Sequence, residues 1–395
     1  MLRYLTAGES HGPSLTVIVE GLPAGLAISA EDFTTELARR RLGYGRGPRM
    51  RFEKDEIAIT AGVRHGRTLG SPLCVVIANT EWPKWEKEMS AAPGQPEKKL
   101  TAPRPGHADL VGMQKYEFDD ARDVLERASA RETAARVVAG TCARLLLAEI
   151  GVSVLSHVVR LGVVASSSRR PGAGDREVVD ASDVRCIDES AAELMRAEIA
   201  AAAKEGDSLG GVAEVLAFGV PVGLGSHVHW DRKIDGLLAQ ALMSIPAVKA
   251  IEIGDGWTQA TQRGSQAHDA IARDDSATDT GGFIRRSDHA GGIEGGMTSG
   301  SVLSLRVAMK PLATLNRPVL ETVDLATGDS AVSFRERTDV TAVPAMAVIT
   351  ESMVALVLAA EAQRKFGGDS VAEFVRNARN AQEHLGDTSS AARPE

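Results

Sequence analysis

The stretch Ser129-Ala130-Arg131-Glu132, followed by Thr133 to Ile150 and closed by Gly151, carries the clearest structural signal in the chain. Ser129 and Glu132 stand at the S-x-x-E spacing of a capping box, and glycine past the last turn is a common helix stop. Between them Ala134, Val137, Val138, Thr141, Leu145 and Ala148 fall on one face at the helical period. That pattern predicts a long helix with one apolar face, which must pack against other elements of a core.

Working outward, helices and strands alternate. Residues 15–20 are a β-branched run stopped by Gly21-Leu22-Pro23-Ala24-Gly25, and short strands are expected at 56–61 and 74–78. Ser29 with Asp32 predicts a capped helix over 30–41. Further helices are expected at 190–205, ended by Gly206, at 231–244, at 343–366 and after Ser370. Residues 90–105, rich in Pro, Lys and Gly, read as a long loop, a class that is often functional. No internal repeat or clean linker divides the 395 residues. The expectation is one domain over 1–385, with 386–395 as a small, polar, flexible tail.

Composition narrows the function. With 45 Lys plus Arg against 53 Asp plus Glu the net charge is −8, which disfavours nucleic-acid binding as the main task. The amino end lacks a signal-peptide layout, and no apolar run is read as crossing a bilayer. Cys74, Cys142 and Cys186 form neither a disulfide framework nor a CxxC motif, so a cytoplasmic setting and no metal site are expected. Aromatic residues are only 4% of the chain while glycines number 39, clustered where backbone must approach something closely.

Those glycines accompany the candidate chemistry. Gly8-Glu9-Ser10-His11-Gly12 and Arg104-Pro105-Gly106-His107-Ala108-Asp109 each present a histidine on a loop, the side chain best suited to move protons near neutral pH. Arg39 to Arg51 holds six arginines and no acid. Arginine forks match phosphates and carboxylates, so a small polyanion is favoured over a nucleic-acid patch, which would want stacking aromatics. Arg127 and Arg131 flank the start of the strongest helix, where backbone N–H groups also attract anions. Gly291 to Gly300, Lys310-Pro311-Leu312-Ala313-Thr314 and Arg337-Thr338-Asp339 follow, without a Walker loop or a GxGxxG fingerprint.

In order and spacing, the GESHG loop, the Arg127-Ala128-Ser129-Ala130-Arg131 segment and Arg337-x-Asp339 leading to Glu351 resemble chorismate synthases over nearly the whole chain. The resemblance implies an α+β fold, a β-α-β sandwich with helices between antiparallel sheets, assembled as a homotetramer. It implies anti-1,4-elimination of phosphate from 5-enolpyruvylshikimate 3-phosphate to give chorismate, the last common step toward aromatic amino acids, with reduced FMN required. By the same resemblance His11 and His107 donate protons and Asp339 acts as relay base. Ser10, Arg40, Arg46, Arg49, Arg104, Arg131 and Arg337 bind the substrate. Arg127, Ala128, Ser129, Pro246, Ala247, Gly295, Lys310, Pro311, Leu312, Ala313, Thr314 and Arg337 lie against the flavin. Pro246, Thr338, Ala313 and the Asp288-His289 pair depart from the residues usual in that family. Some relatives reduce their own flavin with NADP-linked electrons. Lacking a nicotinamide fingerprint, this chain is expected to need an external flavin reductase or reductant.

Overall fold

The computed structural model describes residues 2–47, 55–167, 170–334 and 338–385. Its principal elements are β1 (Arg3–Ala7), β2 (Ser14–Glu20), α1 (Ala30–Arg41), β3 (Ile57–Ala61), β4 (Leu73–Ala78), α2 (Asp109–Tyr116), α3 (Arg122–Ala128) and α4 (Thr133–Ala148). They continue with β5 (Ser153–Leu161), β6 (Val164–Ala165), α5 (Glu189–Glu205), β7 (Gly211–Phe218), α6 (Ile234–Met243), β8 (Val248–Ile253), β9 (Leu303–Met309), α7 (Val343–Phe366) and α8 (Val371–Glu383).

Two antiparallel sheets frame the molecule. The first has strand order β1-β2-β4-β3, with Val17 paired to both Thr6 and Val75. The second runs β8-β9-β7-β5-β6, with Glu214 of β7 paired to Arg306 and His157 on its two neighbours. Along β2, Leu15, Val17 and Val19 are buried, as a strand with one face on a core requires. Helix α4 packs on β2 and on α1, α7 packs on α4, and α7 in turn packs on β5 and β7. The result is a mixed α+β architecture in which one contiguous apolar cluster runs from Leu2 to Ala378.

The contact between α4 and α7 is unusually close. A Cβ placed on Gly140 would lie 2.3 Å from Ser352 Cβ and 2.6 Å from its Cα, so only a glycine lets the two backbones approach this far. Helix α7 is also long and apolar enough by composition to span a bilayer, contrary to the expectation that no segment is. Since 89% of its most apolar window is buried within the fold, its hydrophobicity is that of a core helix.

Helices α1 and α7 begin and end where the sequence places them, and Gly206, at φ 74°, ends α5 as expected. Two expectations need correction. Ser129 caps a 3₁₀ turn over Ala130–Glu132 rather than the long helix itself, and α4 starts at Thr133. No capping box forms, because the Glu132 carboxylate pairs with Arg136 at 2.9 Å instead of folding back on Ser129. Leu125 to Ala128 belong to a separate helix, α3, and the expected helix over 231–244 is a 3₁₀ turn at Trp230–Arg232 followed by α6.

Candidate active site

Segments distant in sequence meet around a cavity of about 890 Å³, toward the upper end of the range of ligand sites, about 300–1,000 Å³. Its walls are the loop after β1, the end of α1 and the turn beyond it, residues 104–108, the α3–α4 junction, 245–247, 309–314 and the start of α7. Arg40, Arg46, Arg104, Arg127, Arg131, Arg136 and Lys310 line it against Glu81, Glu132 and Asp339, so among the described residues the lining is strongly cationic.

The two loop histidines both reach this cavity, and each is backed by a buried carboxylate. Gly8, at φ 111°, turns the chain into the first loop; a Cβ there would sit 2.4 Å from Ser14 O. Asn79 Nδ2 holds the loop by donating to Ser10 O at 3.0 Å and Gly12 O at 2.8 Å. The backbone N–H of His11 donates to Glu126 Oε2 at 2.8 Å, while its Nδ1 lies 2.9 Å from Oε1. Burial pushes the Glu126 carboxyl up, but the hydrogen bonds and charge of His11, with the charge of Arg122, outweigh it and hold the group below its ordinary value.

In the second loop, His107 Nδ1 hydrogen-bonds Asp109, whose side chain is fully buried. Arg104 braces the same carboxylate, with Nε 2.8 Å from Oδ2, and its Nη1 donates to Thr314 Oγ1 at 2.9 Å. Burial raises the Asp109 carboxyl, yet the bonds from His107 and Arg104 overcome this and keep it well below the usual carboxylate range. Ionised, Asp109 only accepts, so the hydrogen between it and His107 is on Nδ1; Arg104 Nη2 stands beside the same ring, 3.0 Å from Nδ1 and 3.4 Å from Nε2.

The arginines are held by the frame. Arg40 donates from Nε to Thr133 Oγ1 and from Nη2 to Ala130 O, both at 3.0 Å. Arg131 pairs with buried Asp55. Arg46 pairs with Asp339 at 2.8 Å, and Gly47 N–H donates to the other oxygen of that carboxylate at 2.6 Å. Ser10 Oγ accepts from Ser129 Oγ at 3.1 Å. Lys310 donates from Nζ to Gly106 O; burial and the charge of Lys249 keep it below the ordinary lysine value. Ala247 holds φ 66°, unusual for a residue with a Cβ, and its carbonyl accepts from Lys310 N at 3.0 Å.

Of the residues singled out from sequence, Ser10, His11, Arg40, Arg46, Arg104, His107, Arg127, Ala128, Ser129, Arg131, Pro246, Ala247, Lys310, Leu312, Ala313, Thr314 and Asp339 line the one cavity. Arg49 and Arg337 lie outside the described residues. Pro311 and Gly295 are not among the lining residues; Gly295 sits in the turn of a two-strand hairpin, Ile293–Glu294 with Met297–Thr298. Sequence reading missed Glu126, Asp109, Arg136 and Trp85. Asp109 and Glu126 lie inside motifs read for their basic residues, and only the fold shows that a histidine rests on each. Trp85, four residues beyond Glu81 in a polar loop, carries no periodic signal at all.

The chain is similar to known proteins along nearly its whole length. The chorismate synthase family model matches residues 2–362. A chorismate synthase of Thermobifida fusca is 55% identical, covering 98% of this chain and 99% of that protein. One from Salinispora tropica is 57% identical over 95% of this chain and 97% of its own. A crystal structure of chorismate synthase superposes with a TM-score of 0.78 at 37% identity, covering 98% of both chains. The chain therefore belongs to the chorismate synthase family, and it is a lyase.

Proposed function

We propose that this chain converts 5-enolpyruvylshikimate 3-phosphate to chorismate by anti-1,4-elimination of phosphate, with reduced FMN bound in the same cavity. The strongest support is the presence of two carboxylate-backed histidines, His11 and His107, in one cavity lined by arginines. A substrate with one phosphate and two carboxylates needs such a lining, because anions leave water only for matched donors.

The residues present suit FMN. Lys310, Thr314, Arg127 and the backbone of 128–129 and 246–247 supply donors and acceptors of the kind a flavin's polar edge and phosphate require. Gly106 is part of that cradle, since a Cβ on it would come 3.2 Å from Lys310 Nζ. When bound, reduced FMN supplies electron density for a reaction that is redox-neutral overall. Arg337, proposed to touch both ligands, lies outside the described residues.

The protein's own part is to hold charge and move protons. The C6–H and C3–O bonds break, a second ring double bond forms, and phosphate leaves. Arg40, Arg46, Arg104 and Arg131 grip the anionic groups, and their fixed positions let them meet charge growing on the leaving phosphate without reorganising; Arg49, outside the described residues, is proposed to join them. His107, its Nδ1 tied to Asp109, offers a proton from Nε2 to that phosphate. Asp339 receives the proton lost from C6. His11 holds a proton at the cofactor's edge, and Ser10 contacts the substrate beside it.

The packing of α1, α4 and α7 between the two sheets supports the layered β-α-β reading, and the single core cluster supports one catalytic unit over 1–385. The proposal includes a homotetramer in the cytoplasm, served by an external flavin reductase because no dinucleotide fingerprint is present. The deciding experiment is anaerobic incubation of 5-enolpyruvylshikimate 3-phosphate with enzyme and dithionite-reduced FMN. Release of phosphate with formation of chorismate is expected, and absence of release overturns the proposal. Turnover with NADPH and oxidised FMN, no reductase added, would overturn the external-reductant part alone.

A further inference from the structure

Glu126 is a buried carboxylate beside the proposed chemistry that has no role in it so far. It sits near the end of α3 with its side chain 3% exposed, and the GESHG loop wraps around it. Ser10 N–H donates to its backbone carbonyl at 3.0 Å, and His11 N–H to its Oε2 at 2.8 Å. The imidazole Nδ1 stands 2.9 Å from Oε1 and 3.1 Å from Oε2. A third donor, Arg122 Nη1, reaches Oε1 at 3.0 Å from one turn earlier on α3. Trp85 closes the arrangement: the His11 ring lies against it with centroids 4.1 Å apart, and the Arg122 guanidinium stands 4.9 Å from the same ring's centroid.

We propose that Glu126 and Arg122 are a positioning pair that fixes the tautomer and sets the basicity of His11, acting in opposite directions. This rests on the reading of His11 as a proton donor. An ionised carboxylate only accepts, so the hydrogen it meets must be on Nδ1, and Nε2 is the nitrogen left for the cavity. A negative charge at that distance favours the imidazolium. Arg122 shares the carboxylate and stacks on the same tryptophan, so its positive charge pulls the other way. His107 is built alike: Arg104 shares Asp109 just as Arg122 shares Glu126.

Other charged groups bear on the same ring. Glu9 belongs to its own loop, Glu88 stands 3.8 Å from Arg122 Nε, and Glu81 and Arg127 line the cavity with it. Glu126 meets Nδ1 directly, at 2.9 Å, so exchanging Glu126 or Arg122 alters the charges of that pair while leaving the other groups in place.

The test is the pH profile of turnover at saturating substrate with chemically reduced FMN, for the full chain and three variants. Glu126→Gln keeps the shape and removes the charge; the alkaline limb should move down by about one pH unit. Arg122→Met should move the same limb up, by about half a unit. Glu126→Asp should restore part of the shift. Damage to folding alone would lower rates in both variants without displacing the limbs in opposite directions, so equal or same-sign shifts overturn the proposal. If neither variant folds, ¹⁵N NMR of histidine-labelled wild-type protein, with His11→Ala to assign the signal, decides: hydrogen on Nδ1 supports the pair and a bare Nδ1 overturns it. Should His11→Ala itself turn over normally, the proposed role of His11 falls; should it slow while Glu126→Gln leaves the profile in place, only the present inference falls.

Discussion

Arg46 and Asp339 clasp one another at the edge of the cavity, Nη1 to Oδ2 at 2.8 Å, while the next amide, Gly47 N–H, donates to Oδ1 at 2.6 Å. The proposed proton acceptor is thus held by the loop that carries a proposed substrate ligand. Arg46→Ala should therefore raise KM and lower kcat together, and Asp339→Asn should lower kcat by about a hundredfold or more. Because the two act as a unit, the double variant should lose little more than the worse single one. Phosphate release measures all three, and strictly additive losses would show two independent roles.

His11 and His107 line the same cavity but answer to separate carboxylates, so they are separable by mutation. Either His→Ala change should cut turnover by about 10²- to 10⁴-fold, with FMN binding retained as judged by equilibrium dialysis. Unchanged rates at saturating substrate would remove that histidine from the mechanism.

Glu351 is the most enclosed charge beside α1. Fully buried, it accepts from Arg39 Nη1 at 2.7 Å, Arg185 Nη2 at 3.1 Å, and Ser156 N and Oγ at 2.9 and 2.7 Å. Burial raises its carboxyl, but the charges of Arg39, Arg185 and Arg144 carry it well below its usual range. Removing one partner of such a cluster leaves uncompensated charge, so Glu351→Ala should destabilise the fold by about 3–5 kcal/mol. The lowered pKa has a definite sign: the stabilisation is complete above the reference value of 4.5 and drains away as pH falls below it. Glu351→Gln should accordingly flatten the fall of Tm between pH 4.5 and more acidic values, as read by circular dichroism. An acid limb as steep as wild type would contradict this.

Gly140 offers a test of the helix crossing. An exposed Gly→Ala change in a helix gains about 1 kcal/mol of propensity. Here the added methyl would lie within 2.6 Å of Ser352 Cα and force α4 from α7. Overpacking of this kind costs about 1–3 kcal/mol, so Gly140→Ala should lower Tm; a rise would mean the helices separate freely.

Local chemistry made some of this readable in advance. The start of α1 follows from Ser29 with Asp32 and the end of α5 from Gly206, signals that operate within one turn. The S-x-x-E pattern at Ser129 misled because Glu132 has a better partner in Arg136, a choice settled by neighbours rather than spacing. Strand order was beyond reach: β4 joins β2 and β3, and β9 lies between β8 and β7, through pairings that no local pattern encodes. At the site, the histidines announced themselves through glycine-bearing loops and Arg40, Arg46 and Arg49 through an acid-free run. Their carboxylate partners did not, since Asp55, Asp109 and Glu126 look like any surface acid until the fold buries them.

Trp85 gives the cavity an optical gauge. The chain has four tryptophans; Trp230 and Trp257 are exposed, while Trp85 lines the cavity against His11 and Arg122. A flavin seated in that cavity absorbs where tryptophan emits. Occupancy would therefore register as loss of a fraction of the intrinsic fluorescence, and Trp85→Phe would silence much of that signal while keeping an aromatic ring beneath His11 and Arg122.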